Sequence, residues 1–191
     1  KHWAVWHKDL SSNAHYLLLN QTDAQANTYS YWNGSHTSSV FTLGTTGGSN
    51  ESGDNFIAYC FTSVAGFSKI SSYEANSSSS GPFVYTGFKP KWIMVKNVDD
   101  TQYSSAYSWT IIDTARYPVN KAAGDLNALY AQSTADENTY AYGGASTGLA
   151  FDIYSNGFRP MSASAEINTG NTYIYIAFAE NPFSANGGLA R

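Results

Sequence analysis

The sequence predicts an all-β fold built from two related β-sandwich units of the jelly-roll or lectin-like kind, the first of which lacks its initial strand. Short runs of aromatic and β-branched residues alternate with clusters of Gly, Asn and Ser, and no helical period persists beyond a turn or two. Two stretches also have similar sequences: residues 54–61 (DNFIAYCF) and residues 171–178 (NTYIYIAF). Both are apolar on both faces, which is typical of strands buried inside a sandwich.

The composition is typical of a folded extracellular or virion protein. Among 191 residues, 16% are aromatic and 13% are charged, whereas disordered chains contain few aromatic residues. The net charge is −4 and Lys and Arg do not cluster, so we expect no nucleic-acid binding. No run approaches the ~20 apolar residues of a membrane span, so we expect no membrane insertion. Cys60, the single cysteine, is predicted to be a buried and inert thiol.

Most predicted strands rest on one signal, an apolar run that ends at a polar or glycine-containing turn. The first is the tryptophan-rich run at 3–6, and the polar stretch 20–37 is expected to be a surface loop with an embedded strand. A hairpin is predicted at 149–158, where Asn-Gly is a strong turn signal. Residues 121–130 are the predicted short helix. The remaining predicted strands are 16–19, 40–44, 54–61, 83–88, 91–96, 109–112 and 171–178.

An internal repeat groups these strands into two units. Corresponding pairs are 3–6 with 109–112, 40–43 with 151–154, and 53–61 with 170–178, and residues 18–23 correspond loosely to 129–134. The predicted organisation is a first, truncated β repeat at 1–70, a linker at 71–82, a second β repeat at 83–183 and a C-terminal tail at 184–191. The first unit has no counterpart of the 91–96 strand. We expect that strand to come from upstream residues, from the second unit or from a neighbouring subunit, because an unpaired apolar edge is normally covered.

Several segments resemble a family of phage proteins. They are 81–96 (GPFVYTGFKPKWIMVK), 40–44 (VFTLG), 113–116 (DTAR) and 173–183 (YIYIAFAENPF). They are similar to a duplicated β-domain at the C-terminus of predicted tail-fibre and other virion structural proteins of marine bacteriophages, often behind a lectin-like sandwich. The resemblance covers nearly the whole chain and implies a location on the virion surface. It carries over no catalytic residue.

Aromatic residues in the polar loops are the candidate ligand-binding residues. Their rings suit stacking on sugars or anchoring a protein partner, and they equally suit packing over the ends of the sandwich. The candidates are Tyr29, Tyr31, Trp32, Tyr140 and Tyr142.

No set of residues predicts catalysis or a firm metal site. Glu51 and Asp54 offer oxygen ligands for calcium, but an Asx-rich turn is the favoured interpretation because the second unit has no carboxylate in the corresponding loop. The acidic residues 99–100, 136–137 and 152 are interpreted as solvated loop charges rather than as a glycosidase pair. Asp113 and Arg116 are predicted to form a salt bridge that fixes a turn. We expect no enzyme and no cofactor.

Two functions therefore compete. The first is a non-enzymatic virion or fibre structural module that forms a homo-oligomer through its β edges on a phage particle and contacts the host surface. The alternative is a carbohydrate-binding adhesin or receptor-binding domain that uses its loop aromatics on a host-surface glycan or protein. An enzyme such as a polysaccharide depolymerase ranks below both.

Overall fold

The computed structural model describes residues 1–27, 30–99, 107–116, 120, 128–134 and 149–182. Within these residues the chain forms strands and no helix, which confirms the predicted all-β class. The strands are β1 (Ala4–Val5), β2 (His15–Leu18), β3 (Ala26–Asn27), β4 (Ser68–Glu74), β5 (Val84–Tyr85), β6 (Pro90–Asn97), β7 (Thr110–Asp113), β8 (Leu129–Tyr130), β9 (Phe151–Tyr154), β10 (Gly157–Pro160) and β11 (Thr172–Ala179).

The strands form three antiparallel sheets. The N-terminal sheet has the order β1-β2-β3, the hairpin sheet has the order β5-β10-β9, and the five-stranded sheet has the order β4-β11-β6-β7-β8. β11 pairs along most of its length with β4 on one side and β6 on the other. A strand from the first half of the chain, β4, therefore pairs directly with a strand from the second half, β11.

The five-stranded sheet lies between the other two sheets, and its side chains alternate between two cores. Tyr173 of β11 joins the larger core, together with Phe151 and Phe158 of the hairpin sheet. Ile174 points the opposite way and joins Leu17 of the N-terminal sheet in the smaller core. Successive residues of a strand face opposite sides, so a strand covered on both faces is apolar throughout. The prediction of a doubly buried strand is confirmed for β11.

Two stacked tyrosines hold the connection between β10 and β11 against the larger core. The ring centroids of Tyr73 and Tyr173 are 5.2 Å apart, with 11° between the ring planes. The Tyr73 hydroxyl donates to the Ile167 carbonyl at 2.6 Å, and the Tyr173 hydroxyl donates to the Ala165 carbonyl at 2.6 Å. A buried hydroxyl without a partner costs ~1–3 kcal/mol, so these bonds allow both phenols to lie inside an apolar layer.

The predicted hairpin at 149–158 is confirmed as β9 and β10, which pair across a tight turn with Gly157 opposite Tyr154. Close packing requires glycine at position 157, because a Cβ atom there would lie 2.2 Å from the Val84 carbonyl oxygen of β5. Gly157 therefore allows β5 to pair with the other edge of β10.

Three predictions about the first half of the chain are wrong. Residues 54–61 form no strand, and every one of them is exposed. Residues 40–44 form no strand either, and Leu43 makes an isolated bridge to Trp32. Cys60 is exposed because it lies in the 54–61 segment. The composition of both runs suits a strand, but a strand also needs a neighbour that takes up its backbone hydrogen bonds along its length. Among the described residues, 54–61 have no such neighbour, and 40–44 have only a short one at 31–33, where the Asn33 N–H donates to the Thr42 carbonyl at 3.4 Å and the Gly44 N–H donates to the Tyr31 carbonyl at 2.8 Å.

Two strands are also misassigned from the sequence. Leu129–Tyr130 form β8, so the predicted helix at 121–130 is wrong at its end, and residues 121–127 lie outside the described residues. β4 is not predicted, because its sequence SKISSYE contains only two large apolar residues. It ends inside the predicted 71–82 linker. Further along that segment, Asn168 Nδ2 donates to Asn76 Oδ1 at 3.0 Å and to the Ser78 carbonyl at 2.7 Å.

The predicted salt bridge after β7 is confirmed. Arg116 Nε lies 2.7 Å from Asp113 Oδ2, and Asp113 Oδ1 accepts the backbone N–H groups of Ala115 and Arg116 at 3.0 Å each. Burial acts to raise the Asp113 pKa, but the bonds from Arg116 and Ala115 outweigh burial and lower it. Asp113 therefore fixes the turn in its ionised form.

Candidate interaction surface

The 54–61 segment presents four large apolar side chains to solvent. The exposed fractions are 45% for Phe56, 65% for Ile57, 66% for Tyr59 and 62% for Phe61. Trp3, which is 51% exposed, contacts Tyr59. Single exposed apolar residues are normal, whereas several large apolar side chains exposed within one short segment mark an interaction surface. These five residues are called the apolar strip below.

The backbone of the segment is unpaired as well. Among the described residues, no backbone N–H or carbonyl group between 55 and 61 takes part in a backbone–backbone hydrogen bond. Bonding resumes on either side, where the Asp54 N–H donates to the Glu51 carbonyl at 3.2 Å and the Val64 N–H donates to the Ser68 carbonyl at 3.0 Å. The segment runs without a turn or bend. A straight apolar segment with bare backbone groups is a template for strand pairing.

Side chains hold this segment beside the start of the chain. Lys1 Nζ contacts Asp54 Oδ2 and lies 5.0 Å from the centroid of the Phe56 ring. The ring centroids of Trp3 and Tyr59 are 6.3 Å apart. Residue numbers rise in the same direction along both pieces of chain, so the segment runs parallel to residues 1–3.

The far end of the segment contacts the five-stranded sheet. The Phe61 ring meets the Phe178 ring of β11 edge-on, with 6.1 Å between centroids. Trp92 and Phe67 pack against the same Phe178 ring, at 5.7 Å and 5.9 Å. One end of the apolar strip is therefore fixed to a core strand, and the other end is held by Lys1.

The neighbouring strand β1 also has a free edge. β1 lies at the end of the N-terminal sheet and pairs with β2, with Ala4 opposite Leu18. The Leu19 N–H donates to the Trp3 carbonyl at 2.9 Å. Because bonding alternates along an antiparallel pair, the N–H and carbonyl of Ala4 point away from β2. Within the described part of the chain, no backbone group bonds to them.

The first half of the edge of β4, by contrast, is covered by the turn that precedes it. The Ser63 hydroxyl donates to the Ile70 carbonyl at 3.3 Å and accepts the Ile70 N–H at 2.9 Å. Val64 and Ser68 exchange backbone bonds at 3.0 Å in both directions. Natural proteins protect sheet edges in this way. The apolar strip and the edge of β1 lack such protection.

Lys96 is buried on the face of β6 that the N-terminal sheet covers. Its Nζ donates to the Thr22 carbonyl at 3.1 Å and to the Asn97 carbonyl at 2.7 Å. Burial lowers the Lys96 pKa to about 7, against the opposing charge of Asp23. Because Lys96 is 0% exposed, its amine ties the loop after β2 to β6 rather than serving a ligand.

Glu166 is buried in the connection between β10 and β11. It is 1% exposed, and neither carboxylate oxygen accepts a hydrogen bond of ordinary geometry. Burial raises the Glu166 pKa to about 8, and the Tyr130 hydroxyl opposes this only in part. Neither Lys96 nor Glu166 stands out in the sequence as a buried charged group. Their signals are weak: a lysine within the apolar 91–96 run, and a glutamate beside Ile167.

The candidate aromatic residues that the structure describes pack on other rings. Tyr31 lies 4.4 Å from Tyr16 between ring centroids. Trp32 meets His36 and Phe41 edge-on, at 5.8 Å and 6.1 Å. Tyr31 and Trp32 are half-buried. The other three candidates, Tyr29, Tyr140 and Tyr142, lie outside the described residues.

The two weak calcium candidates are placed at the start of the segment. Asp54 is paired with Lys1, and its N–H bonds to the Glu51 carbonyl in a turn with Gly53 at a φ of 85°. In the described ranges, no three or more His, Cys, Asp or Glu side chains are grouped so that they would hold a metal ion.

A cleft of about 330 Å³ opens between the start of β4 and the end of β5. Tyr85, which is 62% exposed, stands at its rim. The other polar side chains of the cleft are Ser63, Ser68, Lys69 and Thr86. The three hydroxyl groups already donate to backbone carbonyls, Ser63 to Ile70, Ser68 to Thr62 and Thr86 to Phe88. The exposed Tyr85 ring is therefore the group of the cleft that suits the apolar face of a ligand.

Comparison with known proteins gives a family for this fold but no function. No curated protein and no solved structure matches the chain. No helix in the described residues is long and apolar enough to cross a bilayer. One family model, whose description is a domain of unknown function, matches residues 1–182 and so covers nearly the whole sequence. The chain therefore belongs to the DUF7483 family of domains of unknown function.

Proposed function

We propose that this domain is a non-enzymatic structural module of a virion or fibre and that it assembles into a homo-oligomer. The observation that carries the proposal is the apolar strip, four of whose five residues lie in a segment with bare backbone groups. A monomer that exposes such a strip is prone to edge pairing, and assembly is the usual way to cover it. The virion location rests on the sequence resemblance alone.

The proposal includes the duplication, with two related β units of which the first is incomplete. Three relations support it. β1 and β7, which correspond in the repeat, each pair antiparallel with the next matched strand, β2 and β8. The 54–61 segment and β11 have corresponding sequences. Phe61 and Phe178 occupy equivalent positions in that alignment, and their rings are in contact.

Sedimentation or size-exclusion chromatography with light scattering tests the proposal. We expect the intact chain to form a discrete oligomer that dissociates on dilution. A stable monomer at concentrations near 1 mM, where even contacts of ~4 kcal/mol are populated, would contradict it.

Carbohydrate binding is the second candidate, and the cleft beside Tyr85 favours it. Binding to a glycan array that is lost in Tyr85→Ala would support this candidate and would place the ligand in the cleft. Loss in Trp32→Ala instead would place the ligand at the loop aromatics. No binding to any glycan on a broad array would count against both sites.

A further inference from the structure

We propose that two copies of this chain exchange their 54–61 segments, so that each segment enters the other copy between β1 and the resident segment. The inference rests on the proposed self-assembly and names the partner as a second copy of the same chain. The result is a continuous antiparallel sheet in the order β1, partner segment, resident segment, partner β1.

The second half of the chain shows what fits between two such pieces of backbone. β7 and β11 run parallel to each other, and β6 lies between them and bonds to both. In the first half, β1 and the 54–61 segment are the corresponding pieces, and they also run parallel. No strand lies between them among the described residues, and side chains alone bring them together at Lys1–Asp54 and Trp3–Tyr59. Two parallel pieces of chain with unpaired backbone groups accept one strand that is antiparallel to both.

A two-fold axis supplies that strand to both copies at once. It makes the partner segment antiparallel to the resident segment, and hence antiparallel to the resident β1. Each segment then has a partner on both edges, which its own fold does not provide. A symmetric dimer uses the same patch on both subunits, so one self-complementary segment is sufficient.

The contacts that must open are weak. The side chains of Lys1 and Asp54 are each 48% exposed, and exposed ion pairs contribute little to stability. The Trp3 and Tyr59 rings are both more than half exposed, so little buried area is lost when they separate. Little free energy is therefore lost when the contacts within one chain open to admit a strand.

The area available sets an upper limit on the size of the interface. Large apolar and aromatic side chains present ~150–250 Å² each, so the apolar strip at its observed exposures offers about 500–600 Å² per copy. Complete burial in both copies would remove roughly 1,100 Å² from water, which is close to the lower limit for a specific interface, and strand pairing adds backbone hydrogen bonds to it.

Sedimentation velocity of the intact chain under reducing conditions tests the exchange, with Ile57→Asp as the test variant and Val40→Asp as its matched control. Both residues are aliphatic and exposed, at 65% and 55%, but Val40 lies outside the apolar strip. We expect Ile57→Asp to weaken the dimer at least ~30-fold and Val40→Asp to change it less than ~3-fold. A dimer of unchanged affinity in Ile57→Asp would overturn the inference.

A second measurement locates the contact in the wild-type oligomer. Isotope-filtered NMR on a mixture of labelled and unlabelled chains should show contacts between the 55–61 segments of the two copies and between each segment and the partner β1. An oligomer without these contacts would overturn the exchange and leave the proposed assembly standing. A chain that stays monomeric at all concentrations would overturn both.

Discussion

Replacing Glu166 by Gln should stabilise the protein, and the gain should grow with pH. Burial raises the pKa of this carboxyl group from 4.5 to about 8, so the folded protein holds the proton more tightly than the unfolded chain does. The stability that this proton contributes is fully present below about pH 4.5 and is lost as the pH rises towards 8. Gln has nearly the same shape as the protonated acid and carries no charge at any pH.

The size of the effect follows from the shift. One pKa unit corresponds to about 1.4 kcal/mol, so the cost of ionising the buried group is about 3 kcal/mol at pH 7 and about 5 kcal/mol above pH 8. Urea unfolding of wild type and Glu166→Gln at pH 5, 7 and 8.5 measures it. We expect nearly equal free energies of unfolding at pH 5 and a clear advantage for the variant at pH 8.5.

Glu74→Gln serves as the control, because Glu74 is exposed on β4 and surface substitutions usually change stability by less than ~0.5 kcal/mol. If the difference between Glu166→Gln and wild type were the same at pH 5 and pH 8.5, the claim that burial raises the pKa of this carboxyl group would be refuted.

Three further substitutions probe the fold. Lys96→Met removes an amine whose pKa burial lowers from 10.5 to about 7, so the variant should gain about 4 kcal/mol more at pH 6 than at pH 10 in urea unfolding. Gly157→Ala places a methyl group 2.2 Å from a backbone oxygen of β5 and should cost at least ~2 kcal/mol, whereas Gly170→Ala, whose Cβ meets a serine hydroxyl at 3.2 Å, should cost less. Asp113→Ala removes the partner of Arg116 and should cost ~1–2 kcal/mol in thermal unfolding at pH 7. Because the Asp113 pKa is lowered, that cost should disappear as the pH falls through the acid range.

The strands that can be predicted from the sequence are those marked by a short apolar run and a turn next to it. β6, β11 and the hairpin at 149–158 are apolar runs with clear turns, and the chain supplies each of them with neighbouring strands. The 54–61 segment has nearly the same composition as β11 but remains exposed, because the strand that would pair with it is not among the described residues. Backbone partners, rather than local composition, decide whether such a run is buried.

The sequence predicts that the chain has an exposed apolar edge, but it does not predict which residues form it. The similarity of 54–61 to 171–178 predicts an apolar edge in the first half of the chain, and the structure places an exposed apolar segment there, at 54–61. Aromatic residues in loops can bind a ligand only if their rings are exposed, and exposure cannot be read from a sequence. In the structure, the Tyr31 and Trp32 rings pack on neighbouring rings. β4 was missed because Tyr73 is its single residue in the larger core.

Hydrogen exchange at the backbone amides of residues 55–61 tests the central claim most directly. In dilute solution these amides should exchange as fast as those of an unstructured peptide, because no backbone group bonds to them. In concentrated solution they should be protected at least ~100-fold, since each segment then lies between two strands. Fast exchange at every concentration would contradict the claim that this segment becomes a paired strand when two copies associate.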